Sequence, residues 1–598
     1  MALASSHSFT LRYLSLLKSA MLSGTRLELN VSAHEVLGPE LPDSMPRSIL
    51  SLAPELIHII TDELDTHDLE CLRLTCKTLA HLLRSRVFRV LSIKVTKDSL
   101  QRDVTKLREL AMVSCPASSG TQTLRIGSLT PSYDPNYKGP TWKYVDGEWV
   151  AEADEEDSPE VLSAVGEMKK YLFDAIFSLK ALRKVEWTPH REEDETTQTI
   201  VVQALSSLPN LCSVAFCITH CKVPLPFDLF STGSTLRKIS LAGTCEPYHD
   251  DILDSLAKLI AKTPSLMSID IASNWRYNQP INKTQSLHEL FKYYPRSEPP
   301  LRLRHLGLKV CLVRLDEFTL SHLRQLTSLE LTSIEDPYTR QRYIQEDEYQ
   351  DGTLLSEQKK YGSSLDEVWS ILRDAEVHLE EITVDVVVPA LLDYLHSYSG
   401  VKKLIMTPGG FDDGIRSDAM ASEFFAASLA NHKASLQELA IKALFEGAWC
   451  LSAGNLSVIS ACQSVKTLKL SIMSDQLSYS AWQKVDTVKP DIIKLFLDTV
   501  ASTMPRVESL VISPANLEHL RGAYCGGPSM SHFSHTTQIM VESVEAYRAP
   551  QTCTRLPVLT IGPTRLFVED QVIDSEGRKM LSYVDNTPLS EEPEYSYW

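Results

Sequence analysis

The chain has 598 residues, 43% hydrophobic and 23% charged, which excludes disorder throughout and leaves room for several domains or one extended repeat array. Its 77 acidic and 59 basic residues give a formal net charge of -18, which would repel a phosphate backbone; no local basic patch offsets it, so nucleic acid is not expected as a partner. No apolar run approaches the ~20 residues that cross a bilayer, so no membrane is expected either, and twelve cysteines without regular spacing point to reduced thiols in an intracellular setting, cytoplasmic or nuclear.

Residues 1–47 read as an N-terminal tail, expected to be disordered. The tail has no acidic residue before Glu28 and carries Arg12, Lys18 and Arg26, a composition shared with mitochondrial presequences; the simpler reading is an untargeted tail, and a start at Met45 is an alternative. The sequons at Asn30, Asn282 and Asn455 are taken as chance matches in a chain without a secretory route.

Residues 48–88 hold two helical patterns, one with Leu56, Ile59, Ile60 and Leu64 and one with Leu69, Leu72, Cys76, Leu79 and Leu83, split by the polar Asp65-Thr66-His67-Asp68. Pro54 suits a first helical turn, Glu55 suits the positive end of the helix dipole, and Asp68 is placed to cap the second helix. Leu56, Ile57, Ile59 and Ile60 cover more than half of the first helix, so at least two faces must be buried. A segment of roughly 40 residues cannot cover that surface alone.

The stretch "LAPELIHIITDELDTHDLECLRLTCKTLAHLLRSRVFR" resembles the F-box, the helical module by which a substrate receptor docks on the Skp adaptor of a cullin-RING ubiquitin ligase of the SCF type. The resemblance rests on the Leu-x-Pro-Glu-Leu opening, the apolar Ile60 and Leu64, the Asp68-Leu69 start, the run "LRLTCK" and the closing Phe88; Ala53 departs from it, standing where many members have a first proline. It implies adaptor docking through Leu52, Pro54, Leu56, Ile57, Ile60, Leu64, Leu69, Leu72 and Cys76, with Leu79, Leu83 and Phe88 joining the helices to the body.

After Phe88 the period changes. "FRVLSIKV" alternates like a strand, and an apolar-x-x-apolar-x-apolar template recurs from Leu182, Leu211, Leu236, Leu266, Leu303, Leu326, Leu379, Val401, Leu436, Val465, Val507 and Leu556. Helical stretches such as "DDILDSLAKLIAK" and "DIIKLFLDTVAST" lie between these units. A strand followed by a helix, repeated about every 22 to 50 residues, predicts an irregular leucine-rich-repeat-like α/β solenoid over 89–565, similar to the divergent repeats that follow the F-box in many fungal receptors. An ordinary, closed α/β domain with a parallel sheet would show the same alternation. Only Asn274 supplies in register the asparagine that often follows such a strand.

Acidic or polar insertions are expected near 131–160 and 334–362, and an acidic tail over 566–598. Residues alternating with the buried positions should point to the open strand face: Lys238, Asp270, His305, Lys309, Glu330, Glu381, Asp385, Lys403, Glu438, Lys442 and Lys469. That face is charged but mixed in sign, which suits a protein surface as ligand.

No phosphate-binding glycine loop, dinucleotide turn, zinc-protease helix or nucleophile elbow occurs, so the chain is not expected to be an enzyme and no cofactor is expected. Cys212, Cys217, His220 and Cys221 offer metal-ligating atoms, but a strand there places the first two on opposite faces, so core thiols are the expectation and no metal site is assigned. The expected function is an F-box substrate receptor that binds the adaptor, through it a cullin, and an unidentified protein substrate. The alternatives are an α/β enzyme with a helical appendage and an adaptor-binding scaffold outside any ligase.

Overall fold

The computed structural model describes residues 52–585 apart from 113–115, 134–141, 146–147, 152–156, 219–222, 228–229, 231–234, 244–248, 274–280, 282, 339–351, 410–412, 478–490, 522–526, 551–552, 554, 563 and 574–578. The N-terminal tail, Asn274, His220, Cys221 and the last thirteen residues therefore lie outside the described residues. The chain divides into two compact units, Met1–Trp187 with Gln203–Leu211, and Thr188–Val202 with Cys212–Trp598.

The first unit opens with four short helices, α1 (Pro54–Asp62), α2 (Thr66–Thr75), α3 (Lys77–Leu82) and α4 (Arg84–Val87), where two were expected. Pro54 occupies the first turn of α1, as its sequence position requires. The cap of α2 is Asp65, not Asp68: its carboxylate accepts the Asp68 N–H at 2.8 Å. The second expected helix breaks at Cys76, whose backbone is extended (φ -157°, ψ 161°). Two side chains favour the break: the Thr75 hydroxyl donates to the Leu72 carbonyl at 2.7 Å, and Cys76 Sγ receives the Leu79 N–H at 3.5 Å as a new N-cap.

Beyond these helices the unit has parallel strands β1 (Val90–Val95) and β2 (Thr123–Leu129), an antiparallel hairpin of β3 (Trp142–Val145) and β4 (Glu148–Ala151), and β5 (Lys184–Trp187), which pairs in parallel with β2. The hairpin and the start of the helix Pro159–Phe177 thus occupy part of the first expected insertion. Ser158 caps that helix from its hydroxyl, and Val161, Met168 and Leu172 are buried along one face.

The second unit carries β6 (Ser213–Cys217), β7 (Lys238–Ala242), β8 (Ser268–Ala272), β9 (His305–Lys309), β10 (Ser328–Thr332), β11 (Glu381–Val384), β12 (Lys403–Met406), β13 (Glu438–Ile441), β14 (Thr467–Ile472), β15 (Ser509–Pro514) and β16 (Val558–Ile561). From β6 to β16 every two strands that follow one another in sequence are paired in parallel. An open α/β domain of the doubly wound kind reverses its strand order at a switch point. Here there is no reversal, so the unit is a solenoid, an α/β array of the irregular leucine-rich-repeat-like kind.

The strands lie where the apolar template predicts them: its first position is buried just ahead of each strand, as at Leu236, Leu266, Leu303 and Leu326, and its second and third are buried within it, as at Ile239 and Leu241, Ile269 and Ile271, Leu306 and Leu308, Leu329 and Leu331. Right-handed crossovers place the intervening helices on a single side of such a sheet. The helix His249–Ala261 accordingly buries Ile252, Leu253, Leu256 and Ile260. The alternate strand residues stay half-buried or exposed in β7, β8 and β10, which marks the open face.

Two segments read as polar or mobile are structured. The helix Gly352–Tyr361 stands in the second insertion, and Thr564–Asp585, expected to begin the tail, forms strands β17 (Thr564–Ile573) and β18 (Lys579–Asp585). Both pair antiparallel, β17 against β16 and β18 against β17. "LFV" and "LSYV" are short runs rich in β-branched and aromatic residues within an acidic composition, and these runs decide: Leu566 and Tyr583 are buried.

Candidate functional site

The residues aligned with the adaptor-docking pattern separate into two groups. Ile57 and Leu72 are 1% and 4% exposed and form with Leu79 and Leu83 a core inside the helical segment, onto which Leu52, Leu64 and Cys76 pack. Ile57 and Leu72 therefore hold the helices together and cannot meet a partner without unfolding them. The expectation that the segment cannot cover its own apolar residues is corrected to that extent, and Leu79 and Leu83 likewise serve this local core.

Arg86 of α4 locks the arrangement, donating to the His58 carbonyl at 2.6 Å and to Thr61 Oγ1 at 2.8 Å while pairing with Asp62 at 2.7 Å. The Arg73 guanidinium lies 4.7 Å from the centre of the Phe88 ring. What remains outside is an apolar set: Leu56 is 49% exposed, Ile59 58% and Leu74 80%, with Pro54 also exposed and Ile60 and Leu69 half-buried. Ile59 and Leu74 were not among the expected docking residues. Only the segment's own packing reveals which of its many aliphatic residues are left over.

The open strand face of the second unit contains the other candidate. Sheet register aligns Lys238, Ser268, His305, Ser328, Glu381, Lys403, Glu438 and Thr467 in one row across β7 to β14. A second row, two residues further along, runs through Asp270, Gly307, Glu330, Thr383, Ile405, Ala440 and Lys469. Lys309 ends β9, while Asp385 and Lys442 immediately follow β11 and β13.

Many of these charges neutralise one another across strands. Lys238 Nζ lies 2.8 Å from Asp270 Oδ2, His305 Nε2 lies 2.5 Å from Asp270 Oδ1, and Glu438 is shared by Lys469 at 3.0 Å and Lys403 at 3.7 Å. The chain of contacts continues from His305 Nδ1 to Ser328 Oγ at 2.8 Å and from Ser328 Oγ to Glu381 Oε2 at 3.1 Å. Burial acts to raise the Asp270 carboxyl, but the hydrogen bonds and charges of His305 and Lys238 outweigh it and hold the group below the ordinary carboxylate range. Desolvation lowers the Lys442 ammonium although its side chain reaches solvent.

Asp385 has a local task, accepting the Ser333 N–H at 2.7 Å where Ser333 turns into the left-handed region at φ 51°. Ser328 and Gly307 were missed by sequence reading. A Cβ on Gly307 would stand 2.6 Å from Asp270 Oδ1, so the absence of a side chain there is what admits the Asp270–His305 contact.

Serine, histidine and aspartate in hydrogen-bond sequence have the composition of a hydrolytic triad, but the surroundings do not suit that chemistry. Ser328 sits in a strand whose N–H is consumed by the Arg304 carbonyl at 2.9 Å, and Glu381 would repel a developing oxyanion. Cys212 precedes β6 and Cys217 ends it; among the described residues no group of three or more metal-ligating side chains comes together. Among the described residues no helix is long and apolar enough to cross a membrane.

No family model and no curated protein matches the chain. Among solved structures it is similar to an internalin (inlF) from Listeria monocytogenes str. 4b F2365, with 12% sequence identity and a TM-score of 0.22, over 57% of this chain and 64% of that one.

Proposed function

We propose that the chain is an F-box-type substrate receptor of an SCF-type cullin-RING ligase, docking on a Skp-type adaptor through α1 and α2 and holding a protein substrate on its solenoid. The reading joins the Leu52–Phe88 resemblance to one observation: three large aliphatic side chains, Leu56, Ile59 and Leu74, stay exposed on a segment whose own core is already filled. Isolated exposed leucines are ordinary, but three within twenty residues on helices joined by one local core form a surface made to be covered. In this role the protein brings an adaptor and a substrate together and makes no bond itself. An intracellular location follows from the role.

Replacing Leu56, Ile59 and Leu74 together by Asp tests it. Charge placed in an apolar interface costs several kcal/mol, so affinity for purified Skp-type adaptor should fall by about 100-fold or more in calorimetry. Because all three side chains are exposed in the free chain, the thermal midpoint should stay where it is. Adaptor binding that survives in the folded triple variant removes the docking surface from consideration. Adaptor binding without recruitment of a cullin would turn the reading to a scaffold outside the ligase.

A further inference from the structure

The charges of the open strand face are divided unevenly along the solenoid. On the adjacent strands β10 and β11, Glu330 lies level with Thr383, and Glu381 lies level with Ser328, whose hydroxyl is 3.1 Å from its carboxylate. Among the described residues no lysine, arginine or histidine comes within ion-pair distance of either carboxylate. On β12 to β14 the balance is reversed. Lys403 and Lys469, 39% and 42% exposed, share the single Glu438 carboxylate, and Lys442 directly follows β13. Glu381 and Lys403 are register partners across the boundary and still do not pair, because Lys403 leans to Glu438 and Glu381 to Ser328. Between the two charged groups runs an uncharged row of register partners, the half-buried Thr383 and Ile405 and the buried Ala440.

Strand spacing turns this division into a length. Neighbouring strands lie about 4.8 Å apart, so the carboxylate pair, centred between β10 and β11, is about 12 Å from the lysines, centred on β13. An extended chain rises about 3.3 Å per residue and alternates its side chains, so about four residues cover that distance, with the first, third and fifth side chains turned to the sheet. We infer that the open strand face binds an extended segment of a partner protein laid across β10 to β14, its basic residue against Glu330 and Glu381, its acidic residue about four positions away against Lys403, Lys442 and Lys469, and a small apolar residue midway over Ile405. Spacing is fixed and order is not, since the segment satisfies both ends in either chain direction. A uniformly acidic or uniformly basic ligand meets like charge in one half of the face and is rejected. The inference rests on the proposed function only in taking this partner for the substrate; the surface itself requires no adaptor.

The test is selection from a random dodecapeptide library on the purified full chain, followed by fluorescence anisotropy of the enriched peptides. Enriched sequences should carry a basic and an acidic residue about four positions apart and bind more weakly as salt rises from 50 to 500 mM. The E330K/E381K double variant should bind them about tenfold or more weakly, because each exchange turns an attraction into a repulsion. Changing the peptide's basic residue to glutamate should restore binding to that variant and remove it from the unsubstituted chain. K403E, paired with a peptide whose acidic residue is changed to lysine, repeats the exchange at the other end should the first variant fold poorly. Selection that enriches no peptide, enriched peptides without that spacing, or equal affinity for the reversed variants overturns the inference. The chain with Leu56, Ile59 and Leu74 replaced by Asp should capture the same peptides, so a failure at the strand face and a failure of adaptor docking are read apart.

Discussion

His322 and His432 perform one task in two coils of the solenoid. Each Nδ1 accepts a backbone N–H from the segment ahead of a preceding strand, Leu301 at 2.9 Å and Val401 at 3.4 Å, and each lies six positions before the strand that follows it (328 - 322 and 438 - 432). A ring that accepts at Nδ1 must be neutral, and His322 is nearly inaccessible, enclosed by the rings of Phe291, Tyr294 and Phe318. Burial pushes the His322 imidazole down to about 4. Since the folded-state value lies below the ordinary one of about 6.5, the stability drawn from a neutral His322 is complete above that value and is lost as pH falls from there through about 4. We expect H322Q, which keeps an acceptor but cannot charge, to be less stable at pH 7.5 yet to lose less on going to pH 4.5. The difference in urea-unfolding free energy between the two proteins should narrow by on the order of 2 kcal/mol across that range. A gap that does not change with pH would mean that His322 takes up its proton in the folded protein as readily as in the unfolded chain.

These histidines show what the sequence conveys at this scale and what it hides. The outward strand residues were legible because a two-residue period needs only a short window. The meaning of Ser328 was not legible, since its partners sit 23 residues before it and 53 residues after it, and the irregular helices between set the register. In the same way Ile57 and Ile59 look equivalent in sequence, and only the placement of Leu79 and Leu83 buries one and exposes the other.

At the scale of elements, one turn recurs after three strands of the second unit although the spacing between those strands varies. Ala242, Lys309 and Thr332 occupy equivalent final positions of β7, β9 and β10, and the next residues, Gly243, Val310 and Ser333, all enter the left-handed region, at φ 91°, 57° and 51°. Glycine takes that conformation without strain, whereas a β-branched valine does not, so Val310 is held there by its burial beside Ile281 and Leu312. Gly243 is constrained further, because a Cβ would lie 2.0 Å from the Ile218 carbonyl oxygen, and backbone cannot step aside as a side chain can. G243A should therefore destabilise the solenoid by about 2 kcal/mol or more, measured by chemical unfolding. A loss below about 0.5 kcal/mol would show that this turn can move as a body. The break at Cys76 was not foreseen for a related reason: "LRLTCKTLAHLL" contains no proline or glycine, and the interruption is made by side-chain hydrogen bonds that compete with the helix.

At the scale of the whole solenoid, the parallel array needs an end. β16 would be an open edge, and the antiparallel β17 covers it, with β18 beyond, where Ala549 N–H takes up the Leu581 carbonyl at 3.0 Å. A chain ending after Ile561 should therefore fold poorly or self-associate, seen as a rise in mass by light scattering at micromolar concentration; a stable monomer would show that the hairpin is dispensable. This cap was the part of the fold least legible beforehand, since its charge-rich composition reads as a tail until its short β-branched and aromatic runs are given priority.

The strand order has one more consequence. Because each parallel link in the second unit joins strands that are neighbours in sequence, the partner of every new strand has already left the ribosome when that strand emerges. The solenoid can be laid down coil by coil during synthesis, with each finished strand serving as template for the next. Its one persistently unpaired edge travels with the point of growth and is closed only when β17, among the last strands made, folds back.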